Sequence, residues 1–165
     1  ENHRVMMDAL LPAAEAAGVR LALHPDDPPV PELLGIPRIF GTIDAFKRAL
    51  REFDSPAWGV LFCVGTWAEG GEAMGMAIPD ALRFFAERGK LLTVHFRNVS
   101  APLPRFTETF LDNGCVNMAQ VARTLVALGF DGLVIPDHTP ALTGDPEGRA
   151  ALAHSIGYMQ ALFAR

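Results

Sequence analysis

Two kinds of hydrophobic spacing alternate along this chain. Four short apolar runs, VRLALH, GVLFC, LLTVH and GLVIPD, lack the in-out alternation of a half-exposed strand, which is how a parallel strand covered on both faces should read. Between and around them apolar residues recur at helical spacing: Val5, Ala9, Ala13 and Ala16 in residues 3–17, and Ile43, Phe46, Ala49, Leu50 and Phe53 in IDAFKRALREF. The stretches 77–88, MAQVARTLVALG and RAALAHSIGYMQALFA read the same way. Gly18 and Gly89 stand where helices should stop, Thr42 and Asn117 where they should be capped, and Pro12 should kink the first. Strand and helix in alternation predict a parallel (β/α) architecture, one domain over residues 1–165.

Each apolar run stops at a potential metal ligand: His24, Cys63, His95 and Asp137. They recur at about 30–40 residues, the length of one βαβ unit, so a parallel sheet would bring all four to its carboxyl edge, where α/β barrels place their active sites. Adjacent strands lie about 4.8 Å apart, so four strand ends meet on one ion only if the sheet curls as in a TIM-barrel wall. Two imidazoles, a thiolate and a carboxylate form a donor set of mixed softness, suited to Mn, Fe, Co or Zn rather than to a Ca or Mg cage. One such residue alone would read as a core histidine or buried cysteine; four at equivalent places point to a metal centre.

Four strand-helix units make only half of an eightfold barrel, which needs about 250 residues. Half a barrel would leave two open sheet edges and a wet apolar face. The expectation is therefore the carboxyl-terminal half of a longer barrel, completed by a missing amino-terminal half, or a homo-oligomer in which a second copy closes the wall.

Composition narrows the partners. In 165 residues, half of them hydrophobic, the net charge is −5 and no basic stripe occurs, which argues against nucleic acid and anionic membranes and for a small-molecule partner. No apolar run reaches membrane-span length and no signal-peptide pattern opens the chain, so a soluble, cytoplasmic protein is expected. Two cysteines, Cys63 and Cys115, cannot make a disulfide framework, and a reducing compartment would keep Cys63 available as a thiolate.

The loops carry the remaining candidates. Asp26 and Asp27, just past His24, would either orient an imidazole or serve a turn. GTWAEGGEAMGM, rich in glycine, reads as a mobile lid, with Trp67 and Met74 shielding the site or packing locally. Arg97, two residues past His95, has the planar fork that a substrate carboxylate would fill, or else pairs with an acid of the next loop. His138 follows Asp137 and, in an extended segment, should point away from the ion, free for proton transfer. Tyr158, from its pattern alone, is a helix residue packed on the barrel, and His3 and His154 are expected to be solvated.

GVRLALHPDDPP, LLGIPRI, LLTVHFRNV, FTETFLDNG, IPDH and IGYM together resemble the carboxyl-terminal half of the mannonate dehydratase family, xylose-isomerase-like TIM-barrel enzymes, over nearly the whole chain. The resemblance implies dehydration of D-mannonate to 2-keto-3-deoxygluconate with Mn2+, with Fe2+, Co2+ or Zn2+ also suited to the ligands, in hexuronate catabolism. It places the metal on His24, Cys63, His95 and Asp137. It makes Arg97 the substrate-carboxylate residue with Asn98 beside it in the substrate site, and makes His138 and Tyr158 the acid-base pair. The alternatives are a metal-dependent sugar isomerase or epimerase on the same barrel, and a half-barrel that binds a sugar acid without turning it over.

Overall fold

A computed structural model describes residues 2–164. In chain order it runs through helix α1 (Asn2–Ala17), strand β1 (Leu21–Leu23), a small hairpin of β2 (Glu32–Leu33) and β3 (Ile36–Pro37), helix α2 (Ile43–Glu52) and strand β4 (Trp58–Cys63). Helix α3 (Val64–Gly70) then leads through a 3-10 turn (Gly71–Met74) to α4 (Ile78–Ala86) and β5 (Leu91–His95). A second hairpin, β6 (Asn98–Val99) with β7 (Glu108–Thr109), precedes α5 (Met118–Ala127), strand β8 (Leu133–Ile135) and α6 (Arg149–Phe163).

The four expected strands form one parallel sheet in the order β1-β4-β5-β8. Helices cover it with a continuous aromatic core in which Phe46, Phe62, Trp67 and Phe85 meet ring to ring. The two central strands are largely buried, whereas the outer ones are open: Ala22 of β1 is exposed and Leu133 of β8 keeps 69% of its surface. This is the edge exposure that half a barrel wall must have. Among the described residues no helix is long and apolar enough to cross a membrane.

One irregularity in the sheet sets up the site. Between Val60 and Leu61 the β4–β5 pairing slips, so that Val60 faces Leu91 but Leu61 faces Thr93, and Leu92 becomes an unmatched residue. The slip puts Cys63 opposite His95; unbroken pairing would have put Val94 there. Two glycines leave room for the bulge. A Cβ on Gly59 would lie 2.7 Å from Leu92 Cγ, and one on Gly132 would lie 2.5 Å from the Leu92 carbonyl oxygen.

Several local expectations are corrected. GTWAEGGEAMGM is no lid: α3 and the 3-10 turn are packed, with Val64 through Glu69 and Met74 buried and Trp67 stacked on Phe62 at 4.5 Å between centroids. Its glycines serve close packing, since a Cβ on Gly70 would collide with the Met74 side chain. His3 is not solvated; its ring lies edge-on to Phe40 and Phe53, and burial lowers its pKa. Thr42 precedes α2 without a side-chain cap, while Asn117 caps α5 by accepting from Gln120 N at 3.0 Å.

Candidate metal centre

Three of the strand-end donors converge. His24, Cys63 and His95 each offer a ligand atom within 4.8 Å of the other two, and the two imidazole centroids are 5.2 Å apart. Donors on a common ion at about 2.0–2.3 Å stand up to about 4.6 Å from each other, so this trio suits one divalent ion with little movement. Each donor is also oriented. His24 Nδ1 is 2.6 Å from the Pro25 carbonyl, which can only accept, so Nδ1 carries the proton and Nε2 keeps a lone pair for an ion. Cys63 Sγ accepts from Thr66 N at 3.4 Å at the start of α3.

Asp137 is placed differently from the fourth convergent ligand expected. It has left-handed backbone, φ 62°, which turns its carboxylate onto its neighbours. Oδ2 stands 3.1 Å from His95 Nδ1, too bent for a good hydrogen bond, and Oδ1 3.6 Å from His138 Nε2. Among the described residues the convergent trio does not include it. Burial alone would raise its pKa, but His95, His138 and Arg97 outweigh that and hold it low. Burial would likewise lower His95; Asp137 and Cys63 reverse the effect and push its pKa up to about 9. The left-handed residue also breaks the alternation that was to send His138 to the far side, and the two side chains remain neighbours.

Beside the trio, Arg97 gathers a second set of groups. Its side chain is only 2% exposed and meets four carboxylates: Glu108 at 2.7 Å from Nη1, Asp27 at 2.9 Å from Nη2, Asp137 at 3.7 Å from Nε, and Glu69, which pairs with Nη2. Burial works against the guanidinium's charge, but Cys63, Asp27, Glu69 and Glu108 hold its pKa above the usual arginine value. The pair with an acid of the next loop is thus present, with Glu108, and a substrate carboxylate would find both Nη positions already engaged. His138 reaches the same cluster, Nδ1 lying 3.1 Å from Glu108 Oε1 and 3.2 Å from Arg97 Nη1, with its side chain 56% exposed.

Asn98 and Tyr158 lie apart from these groups. The Asn98 amide donates to Leu111 O and Val116 O and accepts from Val99 N and Val116 N, so its hydrogen-bonding capacity is spent on clipping the loop before α5. Tyr158 packs against the core and lines a cavity of about 350 Å3 with Asp112, Cys115 and Met118; its hydroxyl makes no hydrogen bond among the described residues. One turn earlier His154 touches Asp112 at 3.4 Å. Asp26 holds the hairpin by accepting from Ile39 N and Phe40 N, while Asp27 accepts from Thr66 Oγ1 and Arg97, so the two acids divide between turn and site.

Glu69 and Thr66 escaped the sequence reading, and Glu108 figured in it only as an unspecified acid of the loop after Arg97. A signal existed for the first two: Cys63, Thr66 and Glu69 recur at every third position just past a strand end, which puts them on one face of a helix.

Against known proteins, the D-mannonate dehydratase (UxuA) family model matches residues 1–164. The chain belongs to the D-mannonate dehydratase family. It is 34% identical to a mannonate dehydratase of Enterococcus faecalis over 99% of this chain and 46% of that protein, and 31% identical to one of Thermotoga petrophila over 88% and 40%. The crystal structure of mannonate dehydratase from Streptococcus suis superposes with a TM-score of 0.85 at 31% identity, over 98% of this chain and 47% of that one. A xylose isomerase domain protein from Planctomyces limnophilus, 20% identical with a TM-score of 0.68, shares the barrel fold. The chain spans about half the length of the curated relatives it matches.

Proposed function

We propose that this segment carries the metal and proton-transfer groups of a sugar-acid dehydratase acting on D-mannonate. The observation that carries the reading is the juxtaposition, in a member of this family, of the His24, Cys63 and His95 trio with an imidazole whose Nδ1 meets Glu108 beside Arg97. His24, Cys63 and His95 would hold the ion, and Asp137 would orient His95 or move in as a fourth ligand. A bound Mn2+, Fe2+, Co2+ or Zn2+ would supply Lewis-acid polarisation of the substrate carboxylate, which acidifies the proton at C2.

The chain's own groups do the rest. Glu108 accepts from His138 Nδ1, which leaves Nε2 as the nitrogen that exchanges a proton with the substrate. Arg97 supports this dyad from behind by pairing with Glu108, a positioning role, while the substrate carboxylate binds elsewhere in the site. Tyr158 is the proposed second member of the acid-base pair, on the strength of the family likeness. One member removes the C2 proton and the other protonates the departing C3 hydroxyl, so that water leaves and the resulting enol becomes the 2-keto-3-deoxy acid. The reaction is placed in the cytoplasm, where Cys63 stays reduced. The open β1 and β8 edges are proposed to meet the rest of the barrel or a second copy.

The deciding experiment incubates Mn2+-loaded protein with D-mannonate and identifies the product by mass and NMR. A 2-keto-3-deoxy acid, lighter by one water, is expected. A product of unchanged mass would give the isomerase or epimerase reading instead, and binding without turnover the non-catalytic one.

A further inference from the structure

We infer that Glu69 is a positioning residue of this site: it fixes the Arg97 guanidinium, and through it Glu108 and the proton-exchanging imidazole of His138. The inference rests on the dehydratase reading for its kinetic consequence, and on geometry alone for its structural one.

Glu69 projects from α3 with its side chain fully buried and pairs with Arg97 Nη2. Asp27 and Thr66 Oγ1 approach the same nitrogen at 2.9 and 3.3 Å, so one end of the guanidinium is anchored to α3 and to the loop after β1. The other end, Nη1, faces Glu108 and His138. A guanidinium is planar and rigid, so holding Nη2 dictates where Nη1 points. Gly65, one turn before Glu69 on α3, completes the seat: a Cβ there would fall on Arg97 Nε. Glu69 meets Nη2 while His138 lies at Nη1, and the two share no hydrogen bond or ion pair among the described residues, so the effect of Glu69 must be transmitted. Among the described residues, the polar partners of the half-exposed His138 ring, on the stretch after β8, are Glu108, Arg97 and Asp137.

The test compares Glu69→Ala, Glu69→Gln and Gly65→Ala in the holoprotein. Two-bond 1H–15N spectra of the Zn2+-loaded form read the His138 tautomer without any turnover. Wild type should show a single Nδ1–H tautomer, Glu69→Ala a mixture of tautomers, and Glu69→Gln the wild-type pattern, because its amide oxygen still accepts from Nη2. In kinetics with D-mannonate and Mn2+, Glu69→Ala should lose roughly 10²-fold in kcat, the cost of misplacing a reacting group by about 1 Å, with KM and metal content nearly unchanged. Glu69→Gln should recover most of that loss. Gly65→Ala should reproduce the Glu69→Ala signature by displacing the guanidinium from its other side, and it decides the matter if Glu69→Ala fails to fold. A single wild-type tautomer together with wild-type kcat in the folded variants would overturn the inference. If the wild-type protein does not dehydrate D-mannonate, the functional reading falls while the tautomer spectra still decide the role of Glu69.

Discussion

His24, Cys63 and His95 owe their convergence to the backbone, each standing at a strand end in one parallel sheet, whereas His138, Glu108, Asp27 and Glu69 are gathered by one buried guanidinium. The first set is fixed by pairing register and would survive the loss of any one neighbouring side chain. The second comes from segments that share no hydrogen-bonded pairing and has a single common partner. On the proposed reading, a site built this way would keep its ion while losing its proton-transfer geometry, and that separation can be measured.

The sharpest separation is expected at His138. His138→Asn should lower kcat by roughly 10²–10⁴-fold, the usual range for a lost general acid or base, while metal content stays near wild type; loss of the ion from this variant would join the two sides into one. Arg97→Met should cost about 3–5 kcal/mol in denaturant unfolding, since it strands buried acids without their cation. A loss under about 1 kcal/mol, the range of an exposed pair, would show that Arg97 is no hub. Asp137→Asn, which touches both sides, should weaken metal affinity about 10–100-fold by loosening His95. A complete loss of metal in titration calorimetry would instead make Asp137 a ligand in its own right.

Smaller effects refine the picture. Burial pushes the Glu69 carboxyl up to about 8, with Arg97 pulling it down and Asp27 adding to the rise. The folded protein then keeps a proton that the unfolded chain releases above its ordinary value of 4.5, so this group's contribution is whole below pH 4.5 and is lost as pH rises to about 8. Glu69→Gln should flatten that decline in an unfolding series across the same range. An unchanged slope would mean that Glu69 is already ionised beside Arg97. Least of all, Asp26→Ala should cost about 1 kcal/mol for the backbone bonds that hold its hairpin and leave metal binding untouched. A fall in metal affinity there would show that the loop, as well as the strand, positions His24.

The same contrast explains what could be read from the sequence. A strand end is a local feature: an apolar run followed by His or Cys marks His24, Cys63 and His95 without knowledge of the fold, and the period of the runs gives the parallel sheet. The Arg97 cluster is not local, because Asp27, Glu69 and Glu108 come from separate segments and each alone reads as an ordinary loop or helix acid. The segment 64–75 misled for a physical reason. Glycines that signal mobility in an open loop here admit Arg97 and Met74 against a tightly packed helix. Asp137 was legible as an acid at a strand end, but its left-handed backbone was not, and that single angle decides whether His138 turns away or stays beside it.

The unmatched Leu92 means that the two central strands of this site are counted differently on either side of it. A chain that kept Leu92 but paired it with Leu61 in an unbroken ladder would conserve every donor by name and still present Val94 where His95 belongs. Register in this stretch therefore carries information that identity does not. An alignment would certify the ligands of a protein whose ladder runs unbroken there and whose imidazole faces the opposite side of the sheet, and a designer transplanting the centre must move Gly59, Leu92 and Gly132 together with the histidines and the cysteine.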